Sequence, residues 1–88
     1  MKHVTHDDVI KRLKRADGHL RKVIQMIGDE RACIDVAPQL HAVCKAVEQA
    51  KRIYVHDHVD HCLDAGVSRS GKTARSLVAE LKEITRYL

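Results

Sequence analysis

Residues 56–62, His-Asp-His-Val-Asp-His-Cys, gather three imidazoles, two carboxylates and a thiol within seven positions. His58 and Cys62 stand four apart, so on a helix their side chains stack on one face, close enough to share an ion. An imidazole and a thiolate are borderline and soft donors, suited to Cu(I), Zn(II) or Ni(II) and poorly to Ca(II) or Mg(II). A third donor is needed even for a trigonal site, and the candidates are Cys33, Cys44, His61 and the N-terminal His3 and His6.

The elements that must position these groups are legible as periodic segments. Val9, Leu13, Ala16, Leu20, Val23 or Ile24, and Ile27 recur at alternating spacings of four and three, which predicts a seam along one helix. Thr5, Asp7 and Asp8 suit its N-terminus, and Gly28 and Asp29 end it. Gly18 interrupts it at about 1 kcal/mol relative to alanine, which predicts close packing or a backbone role at that position. A second helix opens near Cys33, takes Pro38 in its first turns and runs to about Ala65, with Gly66 as its stop. Leu40, Val43, Val47, Ala50 and Tyr54 form its seam. Ser68 to Thr73 reads as a loop, and its glycine spacing does not make a phosphate-binding loop. A third helix from about Lys72 carries Leu77, Leu81, Ile84 and Leu88.

The second helix, some 30 residues at ~1.5 Å each, is longer than so short a chain can cover. Cys33 lies within about 20° of the His58 azimuth but roughly 37 Å away along the axis. Two antiparallel copies would set Cys33 of one subunit against His58 and Cys62 of its neighbour. A symmetric dimer with two identical sites follows. His61 turns away from His58 and is an accessory candidate, as are His3 and His6 on an arm before the first helix. Cys44 is expected as a small buried hydrophobe. His56 is expected to be solvated, and His19 and His41 to face solvent or nucleic acid.

With 88 residues the chain is read as one domain, 1–88. It has no Phe or Trp and only two tyrosines, a composition suited to aliphatic helix packing. A formal charge of +4 and a pI near 9.2 favour a polyanionic partner. Three cysteines, with no stretch resembling a secretory signal, transit peptide or membrane span, predict a cytoplasmic protein with reduced thiols and no membrane partner. Enzyme chemistry is not supported: there is no His-Glu-x-x-His, and Glu48, the one glutamate of the second helix, lacks a histidine three residues on.

Taken together, "RLKRADGHLRKVIQMI", a cysteine opening the second helix and "HDHVDHC" near its end resemble the CsoR/RcnR family of small all-helical metal-responsive repressors over essentially the whole chain. The resemblance implies an all-α fold: a three-helix subunit, an antiparallel four-helix-bundle dimer, and a dimer-of-dimers tetramer. It places Cys33, His58 and Cys62 on the three metal ligands, with Cys33 donated across the dimer, and Tyr54 and Glu80 around them, Glu80 orienting His58 through its second nitrogen. The Cys-His-Cys set is similar to that of the copper sensors, so Cu(I) is the expected ligand. His3, His6 and His61 are features shared with nickel-resistance proteins, and Ni(II) or Co(II) is the alternative. It also implies a surface for operator DNA, for which Arg12, Lys14, Arg15 and Arg52 are the expected contacts, with DNA bound by the metal-free protein and released on metal binding. A cytoplasmic metal storage or chaperone bundle without DNA binding is the competing reading from another functional class.

Overall fold

A computed structural model of the protein describes the backbone of residues 4–70 and 74–88 and the side chains of residues 5–61 and 75–88. Three helices follow one another in the chain: α1 (Val4–Gly28), α2 (Cys33–Ser70) and α3 (Ala74–Ile84), the last continued by a short 3-10 turn, Thr85–Tyr87. The described residues contain no strand. The chain divides into two compact units, Met1–Lys51 and Arg52–Leu88.

The first unit holds α1 and the leading part of α2. Its core joins Val23 and Met26 of α1 to Val36 and Val43 of α2. In both helices the predicted seam divides into two stripes. Val9, Ala16 and Val23, seven apart, are buried on α1, as are Val36, Val43 and Ala50 on α2. The residues four further on, Leu13, Leu20 and Ile27 on α1 and Leu40 and Val47 on α2, stay exposed, Leu40 at 41% and Val47 at 44%. Full burial of one such side chain is worth about 1.5–3 kcal/mol, so this second stripe leaves a large driving force unused within one chain.

α1 starts earlier than its sequence suggests. Thr5 lies inside the helix, not at its cap, with Asp7 in the first turn, where its charge meets the unpaired N–H groups. His6 is likewise helical and not part of a preceding arm. Gly18 also departs from the expected close packing, since a Cβ built there meets nothing within 4 Å; no packing among the described residues calls for glycine. Pro38 lies inside α2 and withholds one ladder bond from the Ile34 carbonyl. Ile34 is 80% exposed, so water can serve that carbonyl.

The turn between α1 and α2 is built by backbone hydrogen bonds. Arg31 N–H donates to Met26 O and Glu30 N–H to Ile27 O, both at 3.0 Å, the paired closure of a Schellman motif. Gly28 ends the helix as expected, but the left-handed residue is Glu30, with φ 57°. A residue with a Cβ pays about 1–2 kcal/mol in that conformation, which glycine avoids at some entropic cost. Glu30→Gly is therefore expected to stabilise the protein by about 0.5–1 kcal/mol. In urea unfolding at fixed protein concentration the midpoint should rise with an unchanged slope; an unmoved midpoint would mean that the Glu30 side chain offsets its own strain.

The second unit holds the rest of α2, α3 and the 3-10 turn. α2 continues through Gly66 to Ser70, past the expected stop, because an isolated glycine weakens a helix by about 1 kcal/mol without ending it. The expected loop is thus helical over its first three residues, and Gly71, Lys72 and Thr73 lie outside the described residues. On α3, Leu77, Glu80, Leu81 and Ile84 are half-buried and share one face at three- and four-residue spacing. Leu88, expected to extend that helix, follows the 3-10 turn and is exposed.

Candidate metal centre and nucleic-acid interface

Glu80 is the one carboxylate on the half-buried face of α3, and it meets α2 at His58. His58 Nε2 and Glu80 Oε1 are 3.0 Å apart, with the two side chains 35% and 34% exposed. A carboxylate accepts, so Nε2–H donates, which makes Nδ1 the acceptor nitrogen of the ring. The contact holds the ring's rotation and its tautomer together.

Cys62 follows one turn later on α2, and its side chain lies outside the described residues. His61 is drawn toward Asp57 by an i,i+4 pairing, Nε2 to Oδ1 at 3.6 Å. Tyr54 is 47% exposed. His56 is exposed and, with Val59, Asp60, Leu81, Thr85 and Leu88, lines a groove of about 280 Å³.

Cys33 is a free, exposed thiol in the first unit. Cys44, expected to be buried, is also free and exposed: its place on α2 falls outside the stripe that packs on α1. His6 is half-buried and His41 exposed, while His3 lies outside the described residues. Among the described residues, no three His, Cys, Asp or Glu side chains of one chain come together as a metal site. The donor types present, free thiols and an imidazole fixed by a carboxylate, fit a soft or borderline transition metal ion.

The basic residues divide in the same way. Arg12 and Arg15 line a cleft of about 190 Å³ between α1 and α2 with Ala16, His19, Ala46 and Gln49. Arg12 Nε donates to Asp8 Oδ2 at 2.9 Å, leaving Arg15 the less committed of the two guanidinium groups. His19 is half-buried, not on open surface, and its Nε2 lies 2.7 Å from Gln39 Oε1. Lys14 is exposed on α1 outside the cleft, and Arg52 is exposed in the second unit. Gln49 was not anticipated, because uncharged amides carry no signal in a charge pattern. His19 was foreshadowed by its spacing, seven residues from Arg12 and four from Arg15.

The family described as "metal-sensitive transcriptional repressor" matches residues 5–88. The chain belongs to this family. Metal-sensitive repressors of this kind are regulatory proteins, not enzymes; they bind operator DNA, act as oligomers and respond to a transition metal ion. Among relatives, the chain is 34% identical over 82 residues to the copper-sensing transcriptional repressor CsoR of Bacillus subtilis, covering 91% of this chain and 81% of that protein. It is 34% identical over 74 residues to the copper-sensing transcriptional repressor RicR of Mycobacterium tuberculosis, covering 84% and 77%. It is 41% identical over 58 residues to the copper-sensing CsoR of Mycobacterium ulcerans, an alignment covering 66% of this chain and about half, 50%, of that longer relative. The structure is similar to that of the nickel-responsive transcriptional regulator InrS, with a TM-score of 0.77 and 31% identity, over 99% of this chain and 94% of that one. Among the described residues no helix is long and apolar enough to cross a membrane.

Proposed function

We propose that this repressor holds operator DNA when metal-free and releases it on binding Cu(I), in the cytoplasm. The observation that carries the reading is the Glu80-held imidazole of His58, one turn ahead of Cys62 on α2. In this reading Cys33 of one protomer completes the site formed by His58 and Cys62 of its partner, in an antiparallel dimer that pairs again into a tetramer. The exposed second stripe of Leu13, Leu20, Leu40 and Val47 supports a partner subunit, since an aliphatic strip of that length gains from burial. Tyr54, 47% exposed, is proposed to stand beside the ligands. Two thiolates and one imidazole suit trigonal Cu(I). Arg12, Lys14, Arg15 and Arg52 are the proposed contacts to DNA phosphates.

Ni(II) is the second reading, supported by the likeness to InrS and by the additional histidines. A square-planar ion needs a fourth donor, which His61, His3 or His6 would supply. His6 would have to leave α1 to serve, whereas His61 stands one residue before Cys62 on α2 and would have to exchange its pairing with Asp57.

Anisotropy titrations of a duplex carrying the protein's own promoter, metal-free and with Cu(I) or Ni(II), test the reading. The sensed ion is expected to weaken DNA binding by about 5–150-fold, and DNA to weaken binding of that ion by the same factor. Tight metal binding with unchanged DNA affinity for both ions would leave a storage bundle as the better account.

A further inference from the structure

We propose that Gly18 marks the seat of one phosphodiester group of duplex DNA on the outer face of α1, a refinement that rests on the DNA-binding reading above. On a helix surface the nearest neighbours of any position lie three and four residues to either side. For position 18 these are Lys14, Arg15, Arg21 and Lys22, all four cationic and all exposed. Lys11, a turn further along, is exposed on the same side. At about 100° per residue these five fall within roughly 60° of the Gly18 azimuth, and the buried Val9, Ala16 and Val23 lie about 140–180° away from it. The centre of the ring, at Gly18, therefore points away from the core, with Arg15 on its edge toward the α1–α2 cleft.

Among the described residues of the chain, nothing requires glycine at the ring's centre. A Cβ would meet no atom within 4 Å, the backbone is ordinary helix, and a glycine in mid-helix is less stable than alanine. What the missing side chain does provide is a notch in the cationic surface. A phosphate seated there comes against the helix barrel, within reach of the long flexible stems of four cations at once. A methyl group would hold it away from all four. The Asp17 carboxylate, 3.3 Å from Arg21 Nε, is a weak competitor, because Arg21 is 78% exposed and such pairs are easily exchanged. Charge complementarity asks for a polyanion, and the family's work as transcriptional repressors makes that polyanion duplex DNA.

The test is Gly18→Ala in the full chain, metal-free, titrated against the promoter duplex and an unrelated duplex across a range of salt. Because a phosphate seat ignores sequence, affinity should fall about five- to tenfold on both duplexes, and the slope of log affinity against log salt should flatten by about 0.9 for each phosphate lost. The melting temperature should rise, which separates the loss from misfolding. Gly28→Ala, at an equally open glycine outside the cationic ring, should leave DNA binding unchanged, and Gly18→Asp should weaken it further than alanine. Wild-type affinity and slope in Gly18→Ala, while Arg15→Ala still weakens binding, would overturn the seat and spare the DNA reading. A wild-type protein that binds neither duplex would overturn both. Gly18→Ala that weakens binding to anionic phospholipid vesicles but not to DNA would assign this face to a lipid surface instead, and overturn the proposal.

Discussion

Replacement of Cys33, His58 or Cys62 by alanine is expected to abolish tight metal binding, by more than about a hundredfold, while helicity and metal-free DNA binding persist. The physical reason is the split of the proposed site between subunits. In that reading assembly rests on the exposed aliphatic stripes, and the thiols and imidazole add nothing to it until metal arrives. Glu80→Gln should give an intermediate loss, about 10–100-fold, because an amide in place of the carboxylate weakens the hold on the His58 tautomer without removing a ligand. Cys44→Ala should change nothing, since its exposed thiol joins no cluster of metal donors among the described residues. Mixed oligomers of Cys33→Ala and His58→Ala protomers are the decisive measurement. A dimer of one of each retains one complete site of two, so metal titration of the mixture should recover a fraction of wild-type sites that neither variant shows alone. No recovery, together with a requirement for Cys44, would sink the cross-subunit arrangement.

The second large effect is expected on DNA. Arg15→Ala should weaken binding at least about tenfold near physiological salt and flatten the salt dependence by about 0.9 for each protomer whose contact is lost. Arg12→Ala should cost less, because the Arg12 guanidinium is already held by Asp8 and gives up part of that pairing when it turns to a phosphate. Asp8→Asn releases Arg12 from its competitor, so it should strengthen binding and steepen the slope. Metal affinity in the absence of DNA should stay unchanged in all three, as none of these side chains is a proposed ligand. Equal affinity of Arg15→Ala and wild type over the whole salt range would remove the α1 cleft from the interface.

Legibility in the sequence followed the range of the interaction. Three helices could be read directly, because seams spaced by three and four residues report which side of a helix is apolar. The pairing of His58 and Cys62 as candidate donors could be read too, since side chains four residues apart on a helix share a face whatever surrounds them, whereas Cys33, 25 positions before His58, enters only through the proposed antiparallel dimer. The helix ends were less legible: Thr5 and Gly66 carry end signals worth about 1 kcal/mol, which continued helical hydrogen bonding outweighs. Glu30 could not be identified as the left-handed residue, because the backbone bonds that close the turn impose that conformation on whichever residue stands there.

What only the tertiary structure decided was the partition of groups the sequence treats alike. Within each seam, packing of α1 on α2 has room for Val9, Ala16 and Val23 against Val36, Val43 and Ala50, and leaves the adjacent stripe outside. Among the acidic residues of α3, packing turned Glu80 inward to His58 while Glu83 pairs on the surface with Arg86 at 3.2 Å. Among the arginines of α1, it placed Arg12 and Arg15 in a cleft with His19 and Gln49. At Gly18 it replaced an expected close contact with open space. Residue type and spacing determine which chemistry a chain can perform. Which of several equivalent groups meet depends on contacts between segments distant in sequence, and periodicity within one helix carries no information about those.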